Sequence, residues 1–69
     1  MEKKSEADWA YTIIEEKGGP VFYRDLIEEI IERMNKPKDA KTMASIYTRI
    51  NIDNRLNHIG EGYWVLREE

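Results

Sequence analysis

The chain has 69 residues, which is enough for one small domain but not for a barrel or a two-domain enzyme. With 41% hydrophobic and 36% charged residues, it is too apolar for a disordered chain and too charged for a membrane-embedded one. It has no cysteine and one histidine, His58, so disulfides, thiolate metal sites and multi-histidine metal sites are excluded. The net charge of −3 argues mildly against a surface that binds nucleic acid all over.

The first predicted element is a helix that follows Ser5 and ends at Lys17. Ser5 is a candidate N-cap, with Asp8 as the partner residue of a capping box, and glycine and proline at 18–20 stop the helix. Its apolar side is predicted to face the core, with Ile13 at the margin of a set formed by Ala7, Ala10, Tyr11 and Ile14.

A short extended segment, Val21–Phe22, leads into a second predicted helix from about Tyr23 to Met34. This helix carries a continuous apolar arc and stops at 35–37, where asparagine and proline follow. The arc consists of Leu26, Ile27, Ile30, Ile31 and Met34.

The third predicted helix begins at Lys38 or Asp39 and ends at Ile50, and residues 51–54 are predicted to form its exit turn. Helical spacing predicts an inward face of Ala40, Met43, Ile46, Tyr47 and Ile50.

The last predicted element is a hairpin, in which Arg55–Ile59 and Tyr63–Arg67 flank a glycine-containing loop at 60–62. Three helices, a short strand and a C-terminal hairpin indicate an α+β, mostly α fold of the winged helix-turn-helix class. We therefore expect one winged-helix domain over residues 1–69, with the third helix as the usual recognition helix and the hairpin as the wing.

Charge is distributed unevenly, because residues 36–51 carry a net +3 within an otherwise acidic chain. The exposed arc of the third helix contains cations and hydroxyls, which are typical of contacts to phosphates or to an acidic protein surface. An ordinary solvated helix face would have the same composition. The candidate binding residues are Lys38, Lys41, Thr42, Ser45, Thr48 and Arg49.

The second helix instead carries a row of acids, Asp25, Glu28, Glu29 and Glu32. Such acids are usually solvent-facing, and we predict no catalytic residue, no metal site and no cofactor. The acidic face could also repel DNA or contact a basic protein surface.

Two further side chains, Trp9 and His58, have two possible roles each. Trp9 lies off the core arc of the first helix, so it is either an exposed partner anchor or, as we favour, packed beside Ile13. Trp64 is expected in the core. His58 is either a phosphate contact or a simply hydrogen-bonded wing residue.

Three segments resemble the HARE-HTH family. Residues 17–30 resemble its opening motif G-x-P-x-x-F/Y-x-E/D-L, and residues 60–67 resemble its wing motif G-D-x-x-W-G-L-R. The most specific match is residues 46–56, which are similar to Y-T-D-L-N-L-D-G-R-F. Within that family the chain resembles the N-terminal domains of bacterial RNA polymerase delta subunits.

The resemblance implies a non-catalytic transcription accessory of the bacterial cytoplasm, whose partner is the RNA polymerase core. It implies neither a membrane partner nor a small-molecule substrate. Other members of the family are thought to bind DNA, so a DNA-binding winged helix is the alternative. Arg49 replaces the aspartate of the delta motif and, with Lys38 and Lys41, favours DNA, while Asn54 replaces a glycine. Delta subunits continue into an acidic tail, whereas this sequence stops at Glu69.

Overall fold

A computed structural model describes residues 4–67, in which three helices pack with a three-stranded antiparallel sheet. The predicted α+β, mostly helical, winged-helix-like fold is confirmed. The predicted domain limits at residues 1 and 69 lie outside the described residues. The elements are α1 (Glu6–Lys17), β1 (Val21–Phe22), α2 (Tyr23–Met34), α3 (Ala40–Ile52), β2 (Leu56–Gly60) and β3 (Tyr63–Leu66).

Helix α1 has the predicted caps at both ends. The Ser5 hydroxyl accepts a hydrogen bond from the Asp8 amide at 3.2 Å, and the Asp8 carboxylate accepts one from the Ser5 amide at 3.0 Å. At the other end, Gly18 adopts a left-handed conformation with φ of 71°, and its amide donates to the Ile14 carbonyl. The reciprocal bonds and the glycine satisfy backbone groups that a helix end would otherwise leave without partners.

Helix α3 is displaced toward the C-terminus relative to the prediction. The Asp39 carboxylate accepts a 2.8 Å hydrogen bond from the Thr42 amide, which makes Asp39 the N-cap and places Lys38 before the helix. At the other end the helix includes Asn51 and Ile52, so the predicted exit turn at 51–54 begins too early. Asparagine favours turns, but its cost inside a helix is only about 0.7 kcal/mol or less relative to alanine, and the neighbouring buried Ile50 holds the last turn against the core.

The hydrophobic core lies between the three helices and the sheet. It contains Trp64 as predicted, together with Ile13, which is fully buried rather than marginal. The predicted inward face of α3 is wrong at two positions, since Ala40 is exposed and Tyr47 is 36% exposed. Tyr47 lies about 100° around the helix from the fully buried Ile46, which places it at the edge of the inner face.

Trp9 packs against the core, in agreement with the favoured prediction. Its outer ring face is covered by cations of the same chain, because Lys4 Nζ lies 4.5 Å and the Arg33 guanidinium carbon 5.7 Å from the ring centroid. Cations over an indole face are stabilising. These contacts explain a tryptophan at this position without a partner molecule.

The sheet has the strand order β1-β3-β2, so the last strand of the chain is central. Strands β2 and β3 form the predicted hairpin, but β2 begins at Leu56 and includes Gly60, while β3 ends at Leu66. The turn is therefore Glu61–Gly62 rather than 60–62, and the register shifts between His58 and Gly60 as in a β-bulge. No helix among residues 4–67 is long and apolar enough to cross a membrane.

Candidate partner-binding surface

Three of the six predicted binding residues form one exposed row on α3. Lys41, Ser45 and Arg49 follow each other at four-residue spacing, and all three are exposed. Within residues 4–67, neither Lys41 nor Arg49 forms an ion pair with a carboxylate. We refer to Lys41, Ser45 and Arg49 as the basic row.

The other three predicted residues have interactions within the chain. Lys38 Nζ lies 3.3 Å from Glu28 Oε2, so its charge is directed toward the acidic face of α2. The Thr42 amide is bonded to the N-cap Asp39, and the Thr48 hydroxyl donates to the Ala44 carbonyl at 3.0 Å. The donor hydrogen of Thr48 is therefore already used by its own helix.

A groove of about 710 Å³ runs along the acidic side of α2, and we call it the acidic groove. Its lining includes all four acids of the predicted row, Asp25, Glu28, Glu29 and Glu32. Lysines of the same chain counter two of these charges, since Lys17 lies 3.5 Å from Glu29 and Lys38 pairs with Glu28. Among residues 4–67, no group of three or more His, Cys, Asp or Glu side chains is arranged to hold a metal ion.

A second groove, of about 600 Å³, opens between the start of α2, the middle of α3 and the wing. We call it the aromatic groove. Tyr23 and Tyr47 form its walls with ring centroids 5.8 Å apart, and Tyr47 is edge-on to the buried Trp64 at 6.4 Å. The ring of His58 lies 5.0 Å from that of Trp64. The lining residues are Tyr23, Arg24, Ile27, Met43, Ala44, Tyr47, His58 and Gly62.

Sequence reasoning missed the aromatic groove because its residues come from three separate parts of the chain. Each of Tyr23, Tyr47 and His58 was interpreted within its own element, as a helix start, a core residue and a lone wing histidine. The signal that could have found it is the number of aromatic residues, since four tyrosines and two tryptophans are more than this small core holds.

Gly62 places the wing against the groove. Its carbonyl accepts a 2.7 Å hydrogen bond from the Tyr23 amide, which joins the hairpin turn to the first residue of α2. A Cβ at this position would lie 2.9 Å from Tyr23 Cδ1 and 2.9 Å from Phe22 Cε1, and φ is +86°. The close approach and the positive φ both require glycine here.

On another part of the surface, Arg55 ties the start of α1 to the segment that follows α3. Its Nη2 contacts Asp8 Oδ1 and Asp53 Oδ2, each at 2.8 Å. The Arg55 side chain is the main reason that the pKa of Asp53 lies below its usual value. The pKa of Asp8 is lowered first by the Ser5 amide and then by Arg55. Asp53 and Arg55, from the most specific family-like segment, therefore stabilise the fold.

The sequence of this chain is similar to those of several curated proteins. No protein-family model matches the chain. The "Probable DNA-directed RNA polymerase subunit delta" of Staphylococcus carnosus (strain TM300) is 32% identical over 71 aligned positions, covering 99% of this chain and 39% of the relative. The proteins of the same name in Staphylococcus aureus strains JH9 and Newman are 30% identical over 70 positions, covering 99% of this chain and 40% of each relative. The chain thus spans about two fifths of the length of these curated relatives, and it is homologous to the N-terminal region of RNA polymerase delta subunits.

Proposed function

We propose that this domain is a non-catalytic transcription accessory that docks on the RNA polymerase core in the bacterial cytoplasm and modulates transcription. The observation that carries the proposal is the similarity to delta subunits across 99% of the chain. The local structure is compatible with a docking role, because the domain exposes the basic row and the aromatic groove on its surface.

We further propose that the domain is a winged helix of the HARE-HTH type. The element order and the hairpin that pairs back onto β1 support this assignment. The family-like residues Asp53 and Arg55 support it as well, because Arg55 donates hydrogen bonds both to Asp53 and to Asp8 of α1.

Co-elution tests the docking proposal directly. The 69-residue domain is mixed with nucleic-acid-free core RNA polymerase and separated by gel filtration, with circular dichroism as the control for folding. We expect the folded domain to elute with the polymerase. A folded domain that elutes alone at micromolar concentrations of both proteins contradicts the proposal.

The alternative function is duplex DNA binding through α3. The specific observation in its favour is the basic row, whose cations have no carboxylate partner within residues 4–67. Binding through these cations must weaken with salt, with a log–log slope of about −0.9 per phosphate contacted. The triple variant Lys38→Glu, Lys41→Glu, Arg49→Glu should abolish it, and unchanged affinity in that variant excludes α3 as the reading element.

A further inference from the structure

We propose that the aromatic groove is the docking site on this domain, and that its occupant is a polymerase segment with an apolar anchor side chain flanked by acidic residues. This inference rests on the proposed function, because it takes the polymerase as the partner.

The groove exposes aromatic surface that the core does not need. Ile46 and Ile50 of α3 are fully buried and close the core, whereas Tyr47 on the same helix remains 36% exposed. Tyrosine contributes a large rigid contact area with a polar tip, and it is enriched among residues that dominate binding energies. Tyr23 and Met43 continue the apolar surface on either side of Tyr47.

The shape of the groove suits an inserted side chain. The groove is an open depression of about 600 Å³ between two helices and a hairpin, and its walls come from separate elements that the core fixes in place. A depression of this size accepts one or two large side chains of a peptide segment. A partner therefore has to bind by inserting an anchor side chain rather than by presenting a flat surface.

The charge of the groove suits an acidic partner. The groove is lined by one permanent cation, Arg24, and no carboxylate from residues 4–67 lines it. Lys41 adds a second cation one helical turn from the lining residue Ala44. An acidic flank on the partner would meet both cations, whereas a basic flank would be repelled.

A protein segment fits this groove better than a nucleic acid does. Single-strand binders combine stacking rings with a continuous positive groove that follows the phosphates. Here Arg24 is the single permanent cation in the lining formed by residues 4–67, so this lining offers no continuous positive path for a phosphate backbone. The surroundings therefore favour an apolar anchor with a few acids over a phosphate backbone.

A matched pair of substitutions on α3 tests the inference. Ala44→Glu places a carboxylate inside the groove, and Ser45→Glu places the same carboxylate on the exposed basic row one residue away. Binding to core RNA polymerase is measured by biolayer interferometry with each folded domain. We expect Ala44→Glu to weaken binding about tenfold or more, and Ser45→Glu, which offsets only the outer cation Lys41 one turn away, to weaken it clearly less, about threefold.

A second pair keeps the test valid if Ala44→Glu does not fold. Arg24→Glu reverses the charge in the groove lining, and Arg67→Glu makes the same reversal at an exposed residue outside it. We expect Arg24→Glu to weaken polymerase binding about tenfold, with a shallower salt dependence, and Arg67→Glu to bind like the parent.

The outcomes separate the groove from the proposed function. If the parent domain does not bind polymerase, the proposed function fails and this inference fails with it. If the parent binds and Ala44→Glu and Arg24→Glu bind equally well, only the groove inference is overturned. A loss confined to Ser45→Glu would instead assign docking to the basic row. Tight binding of a single-stranded oligonucleotide that Ala44→Glu abolishes would show that the groove takes nucleic acid, which contradicts a protein occupant.

Discussion

Two grooves border helix α2, and they differ in how their side chains are satisfied. In the acidic groove, Glu28 and Glu29 are countered by Lys38 and Lys17 of the same chain. In the aromatic groove, Tyr47 remains partly exposed beside Arg24, and no carboxylate from residues 4–67 completes its lining. Ion pairs formed within the chain contribute to the fold. Exposed aromatic surface beside a cation that no carboxylate of the described lining offsets is instead suited to contact with a partner.

The change with the largest expected effect truncates a buried core side chain of α2. Ile30 is fully buried on α2, so Ile30→Ala should lower the free energy of unfolding by about 2–5 kcal/mol. Ile52→Ala makes the same chemical change at a residue that is 68% exposed, and it should cost less than about 0.5 kcal/mol. Urea denaturation followed by circular dichroism measures both, and equal losses would contradict the assignment of the core.

The next change acts where the wing meets the start of α2, at the edge of the aromatic groove. Gly62→Ala combines a positive φ with a Cβ 2.9 Å from the Phe22 and Tyr23 rings, and it should destabilise the domain by about 1–3 kcal/mol. Gly60→Ala has a positive φ but no atom within 4 Å of its Cβ, so it isolates the backbone contribution. Gly19→Ala, with neither feature, should be nearly neutral. If Gly60→Ala and Gly62→Ala lower the melting temperature equally, the contact of the new Cβ with the rings does not contribute to the loss of stability.

A smaller effect should appear with pH. The pKa values of Asp8, Asp39 and Asp53 are lowered in the folded state by hydrogen bonds to backbone amides and, for Asp8 and Asp53, to Arg55. Their contribution to stability is complete above the ordinary aspartate pKa of 3.8 and is lost as pH falls below it, because protonation removes the acceptors. Urea midpoints should therefore be flat from pH 7 to about pH 5 and decline below about pH 4.

The Arg55→Met variant provides the control for this pH dependence. It removes the guanidinium while keeping the aliphatic stem, so the decline below about pH 4 should become shallower. A decline as steep as that of the parent would mean that Asp8 and Asp53 do not draw stability from Arg55.

The smallest effect is expected in the acidic groove. Lys38→Ala removes an exposed pair with Glu28, and such pairs contribute about 0–1 kcal/mol. We expect a loss of less than about 0.5 kcal/mol and unchanged affinity for the polymerase. A marked loss of polymerase binding would mean that the acidic groove, and not the aromatic groove, contacts the polymerase.

The local elements of this fold were predictable from the sequence, because their signals are local. Helix α2 has its predicted bounds, Tyr23–Met34, since an unbroken apolar arc lies between two proline-containing turns. The capping box at Ser5 and the left-handed Gly18 were also predictable from residue type and spacing. The end of α3 was not, because the buried Ile50 keeps Asn51 helical against its preference for turns.

The aromatic groove depends on contacts between distant parts of the chain, which periodicity within one element cannot show. Tyr47 fits the inward spacing of α3, yet Tyr23, 24 residues earlier, and the wing determine that it forms a groove wall. The basic row was predictable as a set of exposed cations, while the ion pair of Lys38 depends on where α2 lies. Residue types thus predicted exposure better than they predicted which exposed residues lie together.

The strand order β1-β3-β2 has a consequence for how the domain is made. The strand that pairs with both neighbours is the last of these three to be synthesised, so β1 has no partner until residues 63–66 have emerged from the ribosome. Until then the side chains that pack on Trp64, Tyr47 among them, are more exposed than in the finished domain. Nascent chains stalled before residue 63 should therefore resist proteolysis much less than chains in which residues 4–67 have all emerged.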